Sequence, residues 1–588
     1  MAKTKKAPFA IRKAFERVKQ FFHNPSFKSQ LLIFVIAMIF SVPLISELTQ
    51  GHMYNSTDMN FHIQRFIGTR DAIIDGQIVP QLDPNVLDGF GSATNIFYGP
   101  LSAYINTVLN IIFKMNFVVS IPIFFIIFIF LAGISMYHLV KYTTKRESSA
   151  AISATAYLAM PFFILSAFQW QSFGTIIVFT LLPLAVLGFY KILDRKKLGV
   201  LLLSLSGAGL VLSHMLSLAI VLVFITILCI ANWKKIFHKS VLQKLLLSLL
   251  FIFMITAFFI LPFFAARNLD IYNIFDHDFL ACFMYGNYMY VNENATPLVD
   301  LFYSTSGASI GIISILITVL AMFHYKKLDR NYNSRLLLII GLIFALLSTK
   351  LIPWEHLPSQ LWTIQFPFRL LIVSCFCFSA IAGDVIYKSL QGFSNKKVVE
   401  TMSVVVIIIL AFNVYQTSPN IRQMGGREHV PPVAVPLDPL PVTSGIAQAE
   451  YLPKQIIGMI EPTTKNLAER SKLPEFIKGS GSIEDFSKNG SHINFSIKTD
   501  GESTIELPII FYQGYDITID DQLVNNTWSE SGYVMFTVPD KGSYGVNVRF
   551  AGSSLTKIST IISIFGAVGL IIFSVFERRL ENLTKTSK

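Results

Sequence analysis

Long apolar runs separated by short polar segments dominate the chain and predict a polytopic α-helical membrane protein. Many runs reach the ~18 to 20 apolar residues that a helix needs to cross a bilayer. About twelve spans are predicted in this way. They lie near 30–45, 117–140, 149–167, 172–191, 198–213, 215–232, 244–264, 304–325, 335–349, 367–388, 398–415 and 556–575.

Three longer polar stretches interrupt this pattern. The first follows the first span as a loop over 48–116, and the second covers 265–303. The third, 416–555, contains segments such as "HINFSIK" and "YVMFTVP", in which apolar and polar residues alternate as in half-buried strands. The alternation predicts a small β-rich domain outside the membrane, connected to the preceding helix by the Pro-rich linker 429–445.

Basic residues fix the predicted orientation. Groups such as "KYTTKRESS" and "NWKKIFHKS" follow alternate spans, as the positive-inside rule requires of cytoplasmic loops. The segment 100–113 is therefore predicted to lie in the outer interface, because a span there would place "KYTTKRESS" outside. Both termini are predicted to be cytoplasmic, with a basic segment at 1–29 and a tail after the last helix in 556–588. The transmembrane domain is predicted to cover 30–415.

Composition supports this class and weighs against others. The 588 residues are 53% hydrophobic and only 14% charged, with a mean hydropathy of +0.55. Soluble domains usually carry about 25% charged residues. The net charge of +12 comes from the short segments between spans, without the aromatic and basic motifs of nucleic-acid-binding proteins. The four cysteines show no CxxC spacing, which favours small core residues over a metal site.

The stretch "STDMNFHIQRF" after the first span carries the first candidate chemistry. If it is helical, Asp58, His62 and Arg65 lie on one face, because their spacings are four and three residues. A carboxylate, an imidazole and a guanidinium at the outer membrane surface could act on a substrate. The segment also fits a solvated helix cap, with Asp58 as the N-cap residue. Spacing alone leaves both readings open.

The wider sequence resembles a known family. The outer loop contains "GQIVP", "GFG" and "FYGPL", and further along the chain come "LSHMLS", "WTIQFPFRLL", "AEYLP" and "ELPIIFYQGYDI". Together these motifs resemble the GT-C superfamily of membrane glycosyltransferases. More narrowly they resemble the bacterial membrane proteins labelled "6-pyruvoyl-tetrahydropterin synthase-related". The set is specific although no single motif is, and it extends from the first span to the last.

The resemblance implies an enzyme of the cell membrane whose active site faces outward. Such an enzyme transfers a sugar from a polyprenyl-phosphate carrier to an extracytoplasmic acceptor, such as a cell-envelope glycopolymer or a lipid. Asp58 falls on the catalytic aspartate and would act as general base, which inverts the anomeric centre. His62 would orient Asp58 or contact a substrate, or be an ordinary interfacial histidine. Arg65 or Arg70 would contact phosphate, or lipid head groups.

Three further residues are candidate substrate ligands. Arg369 begins an apolar run, where a charge is expensive and usually functional, and its planar fork suits a lipid phosphate. Gln365 is expected nearby. His214 lies between two closely spaced spans at the predicted outer side, where a helix cap fits it equally well. The loop "DIYNIFDHDF" over 270–279 could cover the site. Its Asp276, His277 and Asp278 are too tightly spaced for a defined metal centre, which favours a solvated loop.

One departure from the family pattern keeps rival functions open. Relatives carry an Arg and a Glu after the third span, where this chain has Trp170 and Thr175. The second outer carboxylate is therefore missing, which weighs against a bound divalent metal without excluding one. A transporter or lipid flippase remains an alternative, although the charges lie at span ends rather than near mid-membrane. The other alternative is a non-catalytic scaffold with the same fold.

Overall fold

The structure, a computed structural model, is a bundle of apolar helices with a β-sandwich at one end. It describes residues 25–50, 56, 59–276, 293–302, 308–391, 402, 405–406, 408–409, 449–456, 467 and 470–586. Its longer helices are α1 (Pro25–Phe40), α2 (Val42–Gln50), α3 (Met59–Ile74), α4 (Leu101–Phe113), α5 (Phe117–Thr144), α6 (Glu147–Leu158), α7 (Pro161–Gln169), α8 (Phe173–Leu193), α9 (Gly199–Val211), α10 (Met215–Ala231), α11 (Lys239–Leu269), α12 (Gly311–Phe323), α13 (Ser334–Leu347), α14 (Leu371–Leu390) and α15 (Ser554–Thr586).

Several of these helices are long and apolar enough to cross a membrane. Among the described residues, α5, α8, α11, α14 and α15 meet that test, and α6 with α7 forms a sixth candidate that is bent by 55°. Six apolar helices of 10–17 residues accompany them. The predicted positions of the spans agree with these helices, but the number twelve stays a prediction. The predicted span 398–415 falls almost entirely outside the described residues.

Small residues let the helices approach closely. A side chain at Gly383 on α14 would meet the main chain of Ser149 on α6, and the Gly383 amide donates to Ser153 Oγ at 3.0 Å. Gly188 on α8 makes a similar approach to the backbone of Leu203 on α9. Helices in a membrane associate through close backbone contacts of this kind, because the surrounding lipid is as apolar as their side chains and burial alone does not drive packing.

Charged and polar side chains close the bundle at the end opposite the β-sandwich. The Asp384 carboxylate pairs with Arg146 and with Lys388, and Glu577 on α15 pairs with Lys244 at 2.7 Å. These residues lie in or next to the segments predicted to be cytoplasmic. The two ends of the bundle therefore differ, because charged pairs connect the helices at one end and the β-sandwich covers the other.

The predicted β-rich region contains two antiparallel sheets packed as a sandwich. The strands are β1 (Glu475–Lys478), β2 (Gly481–Asn489), β3 (His492–Thr499), β4 (Ser503–Ile510), β5 (Tyr515–Ile519), β6 (Gln522–Val524), β7 (Asn526–Trp528), β8 (Tyr533–Val538) and β9 (Gly542–Phe550). One sheet has the order β1-β4-β8-β7 and the other β2-β3-β9-β5-β6. The predicted alternation is confirmed in β3, where Ile493, Phe495 and Ile497 are buried between more exposed neighbours.

The sandwich is packed against the first outer loop. Its buried side chains form one hydrophobic cluster with Leu82, Phe90 and Phe97 of that loop. The Asp75 carboxylate, just after α3, accepts hydrogen bonds from the Ser491 amide at 3.0 Å and the Ser491 hydroxyl at 2.5 Å. The β-sandwich therefore helps to fix the loop that carries Asp58, His62 and Arg65.

Helix α4 corresponds to the segment predicted to lie in the outer interface. It is 13 residues long and packs Asn106 and Thr107 inward, where Asn106 Oδ1 accepts from Ser120 Oγ at 3.1 Å. Thirteen residues rise about 20 Å, less than the ~30 Å of hydrocarbon. The interfacial placement agrees with this length and stays a prediction.

Candidate functional site

Helix α3 presents two of the three residues singled out after the first span. It begins at Met59, and His62 and Arg65 lie one turn apart on its buried face, each 3% exposed. Asp58, the predicted general base, lies outside the described residues. The interpretation of this stretch as a solvated helix cap is therefore wrong for His62 and Arg65. Buried charged and polar side chains are normally paired or functional.

Arg65 is held by polar groups but is not fully paired. Its Nη2 donates to Asn95 Oδ1 at 3.1 Å and to the Gly99 carbonyl at 3.2 Å. The guanidinium carbon lies 4.2 Å from the centre of the Tyr98 ring and 5.5 Å from that of Phe61. Its buried Nε and Nη1 have no hydrogen-bond partner within the described chain. Burial lowers the pKa of Arg65 and the Tyr98 ring opposes this, but a guanidinium stays charged.

A second ring of contacts fixes the acceptor of Arg65. Asn95 Nδ2 donates to Thr69 Oγ1 at 2.8 Å and to the Pro80 carbonyl at 3.0 Å. Thr69 Oγ1 donates in turn to the Arg65 carbonyl at 2.6 Å. The amide of Asn95 is thereby oriented with its oxygen towards the guanidinium, and Arg65 is preorganised. Arg70, the alternative phosphate ligand, pairs instead with Asp71 at 2.8 Å.

His62 lies in an aromatic environment. Its ring centre is 4.7 Å from that of Phe173, 5.2 Å from Phe61 and 6.2 Å from Tyr98. Burial lowers the pKa of His62 well below its usual value, and the Arg65 charge lowers it further. The imidazole is therefore neutral, and its buried Nδ1 has no hydrogen-bond partner within the described chain. A neutral ring of this kind can accept a hydrogen bond from a substrate.

His214 also packs against Tyr98. It is the N-cap of α10, where its Nδ1 accepts from the Ser217 amide at 3.2 Å. Its ring centre is 5.9 Å from that of Tyr98, and its Cβ touches Gly174 so closely that a side chain there would collide. Burial and the charge of Arg369 lower the pKa of His214. With Nδ1 accepting, the neutral ring carries its proton on Nε2, and the capping role is compatible with a substrate contact.

Gln365 and Arg369 form a second unit next to His214. Arg369 Nη1 donates to Gln365 Oε1 at 2.9 Å and to the Ile364 carbonyl at 2.8 Å, and its guanidinium lies over the Phe366 ring. Gln365 has a left-handed backbone with φ of 62°, which is strained for a residue with a side chain. The structure thus brings Gln365 beside Arg369 as expected, and it brings Arg369 into electrostatic range of His214.

The positions that depart from the family pattern have local partners. The Trp170 ring packs against Phe368 at 4.8 Å and Phe162 at 6.0 Å. Thr175 Oγ1 lies 2.9 Å from Ser172 Oγ. Among the described residues, no group of three or more His, Cys, Asp or Glu side chains is placed to hold a metal ion. Of Asp276, His277 and Asp278 in the 270–279 loop, His277 and Asp278 lie outside the described residues.

The segment 449–456 covers the aromatic side of Arg65. The Tyr451 ring stacks on Phe61 at 6.2 Å and on Phe97 at 5.9 Å. The Tyr512 hydroxyl of the β-sandwich donates to the Tyr451 carbonyl at 3.0 Å. Lys454 pairs with Asp270 and Asp276 of the second outer loop. The β-sandwich and this loop therefore hold Tyr451 in place above the site.

Sequence reasoning did not nominate Tyr98, Asn95 or Tyr451 as functional residues. Tyr98 contacts Arg65, His62 and His214, so it is central to the cluster. The available signal was the motif "NIFYGP", in which an amide and an aromatic ring precede a Gly-Pro turn in a polar loop. That motif marks an unusual turn, but it does not indicate which helix the turn packs against.

Asp83 in the same outer loop leads to a pH prediction. Burial raises the pKa of Asp83 from 3.8 to about 7, with Asp71 nearby opposing its ionisation. The folded state then holds a proton that the unfolded chain has lost, so stability falls as pH rises from 3.8 to about 7. We expect Asp83→Asn to flatten this dependence in thermal unfolding of the full-length protein. Asp88 is an exposed residue of the same loop, so Asp88→Asn should show the same dependence of stability on pH as the wild type.

The fold defines a helical membrane protein with a β-sandwich near its C-terminal end. A family model described as "6-pyruvoyl-tetrahydropterin synthase related domain; membrane protein" matches residues 96–424, more than half of the chain. The chain belongs to this family, and the narrower resemblance noted from its motifs is confirmed.

Two further similarities describe its neighbours. A Lactococcus lactis subsp. cremoris (strain MG1363) protein, described as uncharacterized, is 25% identical over 609 residues, covering 94% of this chain and 96% of that protein. Among solved structures, the arabinofuranosyltransferase AftD from Mycobacteria shows a TM-score of 0.38 and 13% identity. That match covers 66% of this chain and 27% of the length of AftD.

Proposed function

We propose that the protein is a GT-C-type membrane glycosyltransferase. It transfers one sugar from a polyprenyl-phosphate carrier to an extracytoplasmic acceptor, such as a cell-envelope glycopolymer or a lipid. The sequence resemblance in the first outer loop supports the class of reaction. The observation that carries the proposal is Arg65, a buried and oriented guanidinium whose Nε and Nη1 have no partner among the described residues.

Arg65 has the properties of an anion-binding group. A buried cation is unfavourable unless an anion or several acceptors compensate it. Among the described residues, only Nη2 has acceptors, and those are the neutral oxygens of Asn95 and Gly99. The remaining N–H groups suit a phosphate, which binds guanidinium through strong charge-assisted hydrogen bonds. The carrier phosphate supplies that anion, and it accumulates negative charge as the sugar leaves.

The proposed reaction is a direct displacement. The acceptor hydroxyl oxygen attacks the anomeric carbon while the bond from that carbon to the phosphate oxygen breaks. The hydroxyl proton passes to Asp58, and the polyprenyl phosphate leaves with the bonding electron pair. A single displacement inverts the anomeric centre. Arg65 stabilises the leaving phosphate in this scheme, and Arg369, oriented by Gln365, provides a second cation for it.

The two histidines have complementary positions in this scheme. His62 is neutral, and its Nδ1, which has no partner among the described residues, accepts a hydrogen bond from a hydroxyl of the sugar or the acceptor. His214, with Nδ1 engaged by the Ser217 amide, offers its Nε2 proton as a donor. Neither needs to be charged. Because His62 and Arg65 are almost fully buried here, substrate entry requires the site to open.

The distribution of charge favours transfer over transport. In the described candidate spans, the Asp, Glu, Lys and Arg side chains lie towards the ends of the apolar stretch, as with Arg369 in the turn before α14, Asp384 in the second half of α14 and Glu577 at the end of the apolar part of α15. A transporter would carry such groups near the membrane midplane. The scaffold alternative predicts that the intact protein binds no carrier lipid.

The experiment that tests the function uses the full-length protein in proteoliposomes. Membranes would contain polyprenyl phosphate carrying a radiolabelled sugar, together with envelope glycans from a deletion strain as acceptors. We expect label to pass into the glycan fraction only when the protein is present. Envelope glycans of the deletion strain should lack one sugar that the parent strain contains. Intact glycans in the deletion strain, together with no transfer in vitro, would contradict the proposal.

A further inference from the structure

The segment 170–174 connects the two parts of the site. Trp170 packs against Phe368, the neighbour of Arg369. Phe173 packs against His62, and Gly174 touches His214. A five-residue segment thus lies between the Arg369 side and the His62 side.

Gln171 in this segment has an unusual local structure. It follows a π-helical turn over Leu165–Gln169, and its backbone is left-handed with φ of 48°. π-helical turns and left-handed residues with side chains are both uncommon, and both recur at functional sites. Gln171 is also 0% exposed, although it connects two helices.

The amide group of Gln171 is unpaired within the described residues. Neither its Nε2 nor its Oε1 has a hydrogen-bond partner in the part of the chain that the structure describes. A buried amide without partners destabilises the folded state, so native proteins rarely retain one without a reason. Gln77, another buried glutamine, shows the ordinary arrangement. Its Nε2 donates to the Leu82 carbonyl and its Oε1 accepts from two main-chain amides.

We propose that Gln171 is a sugar-recognition residue of the proposed glycosyltransferase, which binds hydroxyl groups of the carrier-linked sugar through its amide. This inference rests on the proposed function. An amide both donates and accepts, as does each sugar hydroxyl, so one side chain can pair with two neighbouring hydroxyls. A phosphate would be matched poorly, because an amide carries no charge.

The position of Gln171 fits that role. With the carrier phosphate at Arg65 and Arg369, the sugar attached to it would lie beside the segment that joins them. The amide is fully covered in this structure, so binding requires local movement of the segment. Its π-helical turn and strained backbone make this segment a suitable place for such movement.

The test compares Gln171→Met with Gln77→Met in the full-length protein. Methionine keeps the length of the side chain and removes its polar atoms. Gln171→Met should unfold at the wild-type temperature or above, because unpaired buried groups are lost. Gln77→Met should unfold at a lower temperature, because three hydrogen bonds are lost. A Gln171→Met midpoint as low as that of Gln77→Met would show a structural role and overturn the inference.

Binding then separates the sugar from the phosphate. The probes are polyprenyl phosphate and the same lipid carrying a hexose, an N-acetylhexosamine or a pentose. We expect wild type to prefer one sugar-bearing lipid, and Gln171→Met to reduce that preference by roughly 5- to 30-fold with sugar-free binding unchanged. An unchanged preference in Gln171→Met, or no preference in wild type, would overturn this inference alone. Failure of wild type to bind any of the lipids would overturn the proposed function as well.

Discussion

Asp58→Asn is expected to reduce the rate of sugar transfer by about 100- to 10,000-fold. Asparagine has nearly the same size as aspartate, but it cannot accept the proton of the attacking hydroxyl. The loss should therefore appear in kcat, while KM for the carrier-linked sugar changes little. The measurement is the initial rate of label transfer into glycan by the full-length protein in proteoliposomes, over a range of donor concentrations.

Asp88→Asn is the matched control for this change. Asp88 lies in the same outer loop, is exposed, and undergoes the same loss of charge. We expect it to transfer sugar at the wild-type rate. If Asp58→Asn were as active as Asp88→Asn, the general base would be another group and the displacement mechanism would need revision. Equal losses in both variants would indicate that the charge of the loop matters rather than one carboxylate.

The positions of the helices could be predicted from the sequence because their signal is local. A run of apolar residues and the basic residues beside it define a span without any knowledge of its neighbours. The alternation in β3 likewise predicted a half-buried strand. The order β2-β3-β9-β5-β6 could not be predicted, because pairing between β3 and β9 depends on side-chain packing between residues far apart in the chain.

The candidate site was predictable only in part for the same reason. His62 and Arg65 were found from their spacing on one helix, and Gln365 was correctly expected beside Arg369. The contacts of Arg65 with Asn95 and Gly99 join residues 30 and 34 positions apart, so no periodic pattern indicates them.

Gln171 was missed for a different reason. A glutamine in a loop is normally solvated, and only its burial without partners makes it notable.

Arg65→Met is expected to weaken binding of polyprenyl phosphate by roughly 10- to 100-fold, because hydrogen bonds to a charged group are lost. The same change should leave the unfolding temperature unchanged or raise it, since a buried and incompletely paired cation is replaced by an apolar side chain. Arg65→Lys should bind polyprenyl phosphate with an affinity between those of wild type and Arg65→Met. Lysine keeps the charge, but it lacks the planar guanidinium. That group can donate to Asn95 and Gly99 from one nitrogen and still offer its other nitrogens to a phosphate.

Arg267→Met provides the comparison for a charge at the same end of the bundle. Arg267 is in the last turn of α11 and is exposed, so its loss removes general attraction to anionic lipid without touching the buried cluster. Binding of polyprenyl phosphate by the full-length protein in detergent micelles should be nearly unaffected. A structural role for Arg65 makes the opposite prediction on both measurements: Arg65→Met would unfold at a lower temperature, and its affinity for the carrier lipid would equal that of Arg267→Met. The combination of weaker binding and undiminished stability is therefore specific to a preformed phosphate site at Arg65.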